Sequence, residues 1–178
     1  RRTAEPFVGC EVVPNIYTTL YSRPLVRLTG YAALHGLQGQ LLAYLSYGGA
    51  TASAKDALAE GMLALALERG QLKPGQPVIE ASSGTFAVAL TIAGVHSGHP
   101  VHLVMPGTVT PDRQRYFLDL GSRVELTNYV YGRTGTIRRA QALAQALGGH
   151  FLTTLAHHAT PANHRPVPGP ARPPPRGA

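Results

Sequence analysis

The amino-acid sequence predicts an α/β fold, in which a parallel sheet is covered by helices on both faces. Three consecutive segments support this prediction, because in each a short apolar run is followed by a helical pattern that ends at glycine. Such alternation is typical of consecutive βαβ units, whose strands pair in parallel. Right-handed crossovers would then bring every strand-to-helix loop to the carboxyl edge of the sheet, where ligands bind. We therefore expect four or five parallel strands and a site at that edge.

Each predicted element has its own signal in the sequence. Strands are predicted from short apolar runs at Pro24–Leu28, Leu41–Leu45, Val78–Glu80, Val101–Met105 and Val124–Leu126. Helices are predicted from apolar residues at helical spacing, closed by glycine, at Lys55–Glu68, Thr85–Ser97, Pro111–Leu120 and Thr136–Leu147. Thr51 or Ser53 is expected to cap the first of these helices. The glycine-rich segment 132–136 is interpreted as the turn that enters the last helix.

Composition places the chain among globular proteins. Its 178 residues, 44% of them hydrophobic, are enough for one domain with a core, and no apolar run reaches the roughly 18 residues of a membrane helix. Cys10 is the single cysteine, so an intrachain disulfide is excluded and a reducing, cytoplasmic location is expected. The net charge of +7 suits an anionic partner, but the arginines are scattered, which favours an ordinary basic surface.

A lysine stands at the start of the first long helix. Lys55 follows the small-residue loop that begins at Gly48, and it lies in the first helical turn. The helix dipole disfavours a cation there, so the position suits an amine that must be neutral to attack an aldehyde. A solvated lysine that begins a helix is the alternative interpretation, and the loop alone favours it because Ser-x-Lys is a very weak pattern.

A second loop, from Glu80 to Ala87, leaves a strand and enters a helix. The hydroxyls of Ser82 and Ser83, the glycine that follows and the free N–H groups of the helix start form an anion site for a carboxylate or a phosphate. Capping of the helix by either serine would explain the same composition. Both interpretations stand for this loop in isolation.

Taken together and in order, several segments resemble the motifs of one enzyme family. Pro24–Leu28 is similar to "TPLVRL", Thr51–Asp56 to "GGSxKDR" and Gly70–Gly75 to "GxLKPG". Ser82–Ala87 occupies the place of "TSGNTG", and Leu120–Val124 resembles "LGAxV". These are motifs of the cysteine synthase and cystathionine β-synthase family, whose members are fold type II (tryptophan synthase β-like) pyridoxal-phosphate enzymes. The resemblance runs from about residue 22 to 150 without large gaps.

The resemblance implies a reaction and a set of site residues. It makes Lys55 the Schiff-base lysine that binds pyridoxal phosphate and later shuttles the α-proton. It implies that Ser82, Ser83, Gly84 and Thr85 hold the substrate α-carboxylate, with Thr85 where the family has an asparagine beside the cofactor. The implied reaction is β-elimination from an activated serine of the O-acetylserine type and addition of a nucleophile such as sulfide. A small amino acid is thus the expected substrate, and a homodimer is usual in the family.

Three residues depart from the family pattern in addition to Thr85. Phe86 and Ala87 replace a Thr-Gly pair, and we expect them to narrow the carboxylate pocket or change substrate choice. Ala57 replaces the arginine after the lysine motif. These changes suggest a divergent subfamily that acts on a different amino acid.

The end of the sequence departs further. The family's glycine-rich phosphate cradle and the serine that faces the pyridine nitrogen lie in its C-terminal domain, and neither is found here. Pro161–His164 resembles "NPANxxxH", after which Pro and Arg dominate. We expect an incomplete α/β domain over residues 1–160 and a disordered or extended Pro/Arg-rich tail over residues 161–178. An early stop, a frame change or a natural basic tail would each give this ending, and turnover is expected to be impaired.

The sequence also allows other classes of function. A non-catalytic binding or regulatory module that kept the fold is the main alternative. A nucleic-acid-binding domain is disfavoured, because clustered Lys/Arg and interleaved aromatic residues are absent. No metal site is expected, since His150, His157, His158 and His164 fit no zinc spacing.

Overall fold

The structure, a computed structural model, describes residues 25–152. Within this range the strands are β1 (Leu25–Arg27), β2 (Leu42–Tyr44), β3 (Val78–Ala81), β4 (Val101–Pro106), β5 (Arg123–Thr127) and β6 (His150–Phe151). The α-helices are α1 (Thr29–Leu34), α2 (Lys55–Glu68), α3 (Thr85–His96), α4 (Pro111–Asp119) and α5 (Gly132–Leu147). A 3₁₀ turn at Tyr129–Tyr131 precedes α5. The predicted tail at 161–178 lies outside the described residues.

Four strands form the main sheet, in the order β5-β4-β3-β6, and all neighbours pair in parallel. The chain runs outward from β3 to β4 and β5, and then returns through α5 to place β6 on the other side of β3. The predicted parallel sheet is therefore confirmed, while β6, with two residues, was not predicted. The loop after β3 lies where the strand order reverses, which is where ligands bind in sheets of this type.

Helices cover both faces of this sheet. Alternate side chains of a strand point to opposite faces, so Val78 and Leu103 join one cluster while Ile79 and Val104 join another. The first cluster contains α2, α3 and Phe117 of α4, and the second contains Ala140 and other residues of α5. The central strands β3 and β4 are mostly apolar because both of their faces are buried, whereas the edge strand β5 carries Arg123 and Glu125.

The strands β1 and β2 correct the prediction, because they do not belong to the main sheet. They pair with each other as an antiparallel ribbon, with Leu25 opposite Tyr44. The helix between them, α1, has six residues and buries none of them, so it cannot cover a sheet face as a crossover helix does. The loop before Lys55 therefore follows a strand of this ribbon. The crossover argument had predicted that it follows a strand of the main sheet, and that prediction is wrong.

The start of α5 is a second correction. The segment 132–136 was predicted to be a turn before a helix that starts at Thr136, but it is the first turn of the helix itself. Gly132 has a φ of +55°, so it sets the change of direction into the helix. Gly135 lies inside the helix, where a Cβ would collide with the side chain of Tyr131. This glycine thus permits close packing and does not mark the helix start.

The predicted helix ends are confirmed where glycine follows the last turn. Gly98 after α3 and Gly148 after α5 have φ angles of +77° and +59°. The N–H groups that follow them, of His99 and Gly149, donate to carbonyls of the last helical turn over 2.8 Å. This arrangement satisfies carbonyls that the helix leaves free at its end.

Candidate functional site

The loop before α2 is held by a buried carboxylate. Asp56 is 2% exposed, and both of its carboxylate oxygens accept from the Thr51 backbone N–H, over 3.2 and 3.1 Å. It also accepts from the Thr51 hydroxyl over 2.8 Å and from the Ser53 N–H over 3.4 Å. A carboxylate in the first turn is also favoured by the helix dipole. Asp56 therefore fixes the position of the residues that lead to Lys55.

Lys55 is the first residue of α2, and its side chain is half-buried. Its backbone N–H donates to the Ser53 hydroxyl over 3.2 Å, and that hydroxyl lies 2.8 Å from the Thr51 hydroxyl. Ser53, one of the two predicted capping residues, thus satisfies a free N–H of the helix, although Ala54 is the residue at the N-cap position. The lysine follows a loop in which the N–H groups and hydroxyls of Thr51 and Ser53 have defined partners.

Ala52 adopts an unfavourable backbone conformation in this loop. Its φ is +51°, in the left-handed region that costs a residue with a Cβ about 1–2 kcal/mol. It is also the one non-glycine residue with a positive φ among residues 25–152. The family motif that resembles this segment carries glycine at this position. Ala52 therefore keeps a loop conformation that suits glycine, and the protein bears the strain.

The second loop joins β3 to α3 at the carboxyl edge of the sheet. Ser82 and Ser83 are half-buried, Gly84 is the N-cap residue, and Thr85 is the first residue of α3. No side chain forms a cap hydrogen bond at this helix start. The alternative in which a serine only caps the helix is therefore not what the structure shows. The N–H groups at the start of α3 are left for another acceptor, such as a ligand carboxylate.

An arginine of α4 holds this second loop from the side. Arg113 Nε donates to the Ser83 carbonyl oxygen over 3.2 Å. Its guanidinium carbon lies 5.3 Å from the centre of the Phe117 ring, which is fully buried. The contact with Ser83 joins residues 30 positions apart, and sequence reasoning missed it because no local pattern reports such a pair.

Two cavities flank the second loop. The first has a volume of about 560 Å³ and is lined by Ala50, Thr51, Ala52, Thr85, Val88, Arg113 and Tyr116. The second, of about 540 Å³, is lined by Ala81, Ser82, Ser83, Gly84, Val104, Pro106, Thr108, Tyr129, Gly132, Arg133 and Thr136. The first cavity thus brings the lysine loop and the start of α3 together. Lys55 itself lines neither of these two cavities.

The residues that replace the family's Thr-Gly pair do not reach either cavity. Phe86 is 7% exposed and Ala87 is fully buried, and both pack in the cluster between α2, α3 and the sheet. The expectation that they narrow the carboxylate pocket is therefore wrong. They face the core because α3 packs this side of its first turn against α2 and the sheet.

Membrane and metal sites were also considered. No helix within residues 25–152 combines the length and apolar character that crossing a membrane requires. This part of the chain also brings no three His, Cys, Asp or Glu side chains together as a metal site would need. Three of the four histidines considered from the sequence, His157, His158 and His164, lie outside the described residues.

The sequence matches known proteins over most of its length. A family model described as "Pyridoxal-phosphate dependent enzyme" matches residues 16–165. The chain is 31% identical over 154 residues to cysteine synthase 3 of Caenorhabditis elegans, which covers 85% of this chain and 45% of that protein. It is 30% identical over 161 residues to a probable cysteine synthase of Bacillus subtilis, which covers 90% of this chain and 51% of that protein.

Solved structures agree with this match. An O-ureido-L-serine synthase has a TM-score of 0.73 and 26% identity over 87% of this chain and 48% of its own. An O-acetyl serine sulfhydrylase, isoform 3 from Entamoeba histolytica, has a TM-score of 0.72 and 27% identity over 91% and 49%. The chain thus spans about half the length of these relatives. Since both sequence and fold match, this chain belongs to the family of pyridoxal-phosphate-dependent enzymes and is a relative of the cysteine synthases.

Proposed function

We propose that this chain forms one wall of a cysteine synthase-like active site, in which pyridoxal phosphate is bound by Lys55. The proposed reaction is β-elimination and β-replacement on an activated serine of the O-acetylserine type. One observation carries the proposal: Thr51 and Ala52 of the lysine loop and Thr85 of α3 line the same cavity. The two segments that the resemblance assigns to cofactor and substrate are thus neighbours in space.

The residues at and beside this cavity fit the cofactor. Lys55 is half-buried in the first turn of α2, directly after the loop whose Thr51 and Ala52 line the cavity, and a lysine amine can condense with the cofactor aldehyde. Thr85 lines the same cavity, and the resemblance puts a contact with the cofactor at this residue. When bound, pyridoxal phosphate supplies an electron sink for the substrate α-carbon. The role of Lys55 is then to hold the cofactor and to exchange the proton at that carbon.

The loop after β3 is the proposed carboxylate site. Its glycine and the start of α3 offer N–H groups without a side-chain cap, and the hydroxyls of Ser82, Ser83 and Thr85 make no hydrogen bond to other described residues. An α-carboxylate bound to such N–H groups is stabilised by the helix dipole as well as by hydrogen bonds. Arg113 keeps the loop in place through the Ser83 carbonyl, and so acts as a positioning residue.

The length of the relatives bears on how this chain acts alone. It spans about half of them, and the cradle that the resemblance assigns to the cofactor phosphate belongs to the half that does not match. We therefore expect weak cofactor capture at Lys55 and little turnover by this 178-residue polypeptide on its own. Activity is expected to rise when the other half is supplied as a separate chain.

The test compares the absorbance of three proteins with added pyridoxal phosphate: wild type, Lys55→Ala and Lys73→Ala. Lys73 is the matched control, because it is exposed and is the other lysine of the sequence. We expect a visible band that is distinct from free cofactor in wild type and Lys73→Ala but not in Lys55→Ala. The same spectrum in all three proteins would contradict the role of Lys55. No band in any of them would favour the non-catalytic binding module.

A further inference from the structure

The second cavity, at the start of α5, has a feature that the proposed reaction does not use. It lies at the carboxyl edge of the sheet, with Ser82, Ser83 and Gly84 on one side and Gly132 and Arg133 on the other. Its volume of about 540 Å³ is in the range of small-molecule sites. The loop that is proposed to bind the α-carboxylate therefore also borders this second cavity.

This second cavity is positively charged. Among the described residues that line it, Arg133 is the one ionised side chain. The first turns of α3 and α5 contain no acidic residue, so no carboxylate in either turn opposes the guanidinium. Within residues 25–152, Arg133 forms no ion pair, whereas Arg115 pairs with Asp119 and Arg139 with Glu125. A guanidinium of this kind is suited to bind two oxygens of a phosphate or carboxylate at once.

The helical turn that carries this arginine is held by a short network of hydroxyls. The Thr136 hydroxyl donates to the Gly132 carbonyl over 3.1 Å and lies 2.9 Å from the hydroxyl of Thr127 at the end of β5. These contacts hold the first turn of α5 against the sheet. They place Arg133, one residue into the helix, across the cavity from the serines of the second loop.

We infer that the second cavity is a subsite for an anionic side chain on the amino-acid substrate. The substrate would be a serine esterified with an anionic acid, such as O-phospho-L-serine, with its α-carboxylate at the loop and its second anion at Arg133. This inference rests on the proposed function, because it assumes that Ser82, Ser83 and Gly84 bind the α-carboxylate. It adds the charge of the substrate side chain, which the proposed reaction leaves open.

The test measures, by calorimetry, the affinities of O-phospho-L-serine and O-acetyl-L-serine for the whole chain and two variants, Arg133→Gln and Arg138→Gln. Arg138 is the matched control, since it is an exposed arginine of the same helix that does not line the cavity. We expect Arg133→Gln to weaken O-phospho-L-serine binding on the order of tenfold, as the loss of one charge-assisted contact does. Its affinity for O-acetyl-L-serine and the affinities of Arg138→Gln should stay unchanged.

Three results would overturn the inference. If Arg133→Gln and Arg138→Gln weaken O-phospho-L-serine binding equally, the effect comes from the overall charge of the protein and not from the cavity. Unchanged affinity in Arg133→Gln would remove the subsite. Inorganic phosphate that binds at Arg133 as tightly as O-phospho-L-serine would mean that the site serves the free anion and not a substrate.

The cofactor spectrum separates this inference from the proposed function. The absorbance band at Lys55 should persist in Arg133→Gln, because the subsite serves the substrate. Loss of the band in that variant would assign Arg133 to the cofactor instead and overturn the inference. If both proposals hold, Lys55→Ala should lose the absorbance band. It should keep the wild-type ratio of its affinities for O-phospho-L-serine and O-acetyl-L-serine.

Discussion

Replacement of Asp56 by asparagine should destabilise the protein, because this buried carboxylate holds the lysine loop. If the amide nitrogen takes the place of Oδ2, the N–H groups of Thr51 and Ser53, at 3.1 and 3.4 Å, lose that acceptor. A hydrogen bond to a charged group contributes about 1.5–3 kcal/mol, and the longer of these two contributes less. We expect a loss of about 2 kcal/mol in the free energy of unfolding. With a urea slope of about 1–3 kcal/mol/M, the unfolding midpoint falls by about 1 M.

The control for this prediction is the same substitution at an exposed site. Asp119 is 58% exposed and pairs with Arg115 one turn earlier on α4, and exposed pairs of this kind contribute about 0.3–0.5 kcal/mol. Asp119→Asn should therefore leave the urea midpoint almost unchanged. Asp56→Asn should also reduce cofactor capture at Lys55, since the loop before it loosens. Equal midpoints for the two variants, with full cofactor capture in both, would refute the role assigned to Asp56.

Three further perturbations follow from the structure. Burial, followed by the nearby charge of Arg123, lowers the pKa of His102 below its usual 6.5. The unfolded chain then binds this proton more readily than the folded chain, so stability is lost as the pH falls through about 6.5. Urea midpoints measured from pH 8 to 5 should therefore fall less in His102→Asn than in wild type. Ala52→Gly should raise the free energy of unfolding by about 0.5–1 kcal/mol, because relief of the positive φ exceeds the added entropy of the unfolded chain. Arg113→Ala should weaken O-acetyl-L-serine binding several-fold in calorimetry, since the Ser83 carbonyl loses its donor.

Each of these predictions has a control and a contradicting result. A pH dependence as steep in His102→Asn as in wild type would contradict the first. Ala54→Gly is the control for the second prediction. Ala54 has a helical φ of −63°, so this variant should lose stability. A loss of stability in both glycine variants would contradict the relief of strain at Ala52. Arg115→Ala is the control for the third, because Arg115 contacts Asp119 and neither loop. Equal affinity in the two arginine variants would remove Arg113 from the site.

The parallel sheet was predictable because its signals are local. Apolar runs such as Val101–Met105 are bounded by turns, and a glycine in the left-handed region ends the helices. Each strand-helix unit can therefore be predicted from its own residues. The ribbon of β1 and β2 was misassigned because strand direction depends on pairing partners and not on the strand's own residues. Each of these strands has three residues, too few to show a periodic pattern.

The site was predictable in part, for the same physical reason. Lys55 and the loop from Ser82 to Thr85 could be proposed from sequence because several motifs resemble one family in order, whereas each loop taken alone also fitted a structural role. The contact between Arg113 and Ser83 joins two elements across 30 residues, and only the fold reveals it. The outcome for Phe86 was likewise hidden, since the face of a helix that turns to the core depends on where the helix packs.

The central claim is that Lys55 holds pyridoxal phosphate, and reductive trapping tests it most directly. The chain contains two lysines, Lys55 and Lys73, so borohydride reduction in the presence of the cofactor followed by peptide mass spectrometry has two side-chain amines to distinguish. We predict that the pyridoxyl label lies on the peptide that contains Lys55 and is absent from the one that contains Lys73. Equal labelling of both peptides, or labelling of Lys73 alone, would contradict the claim.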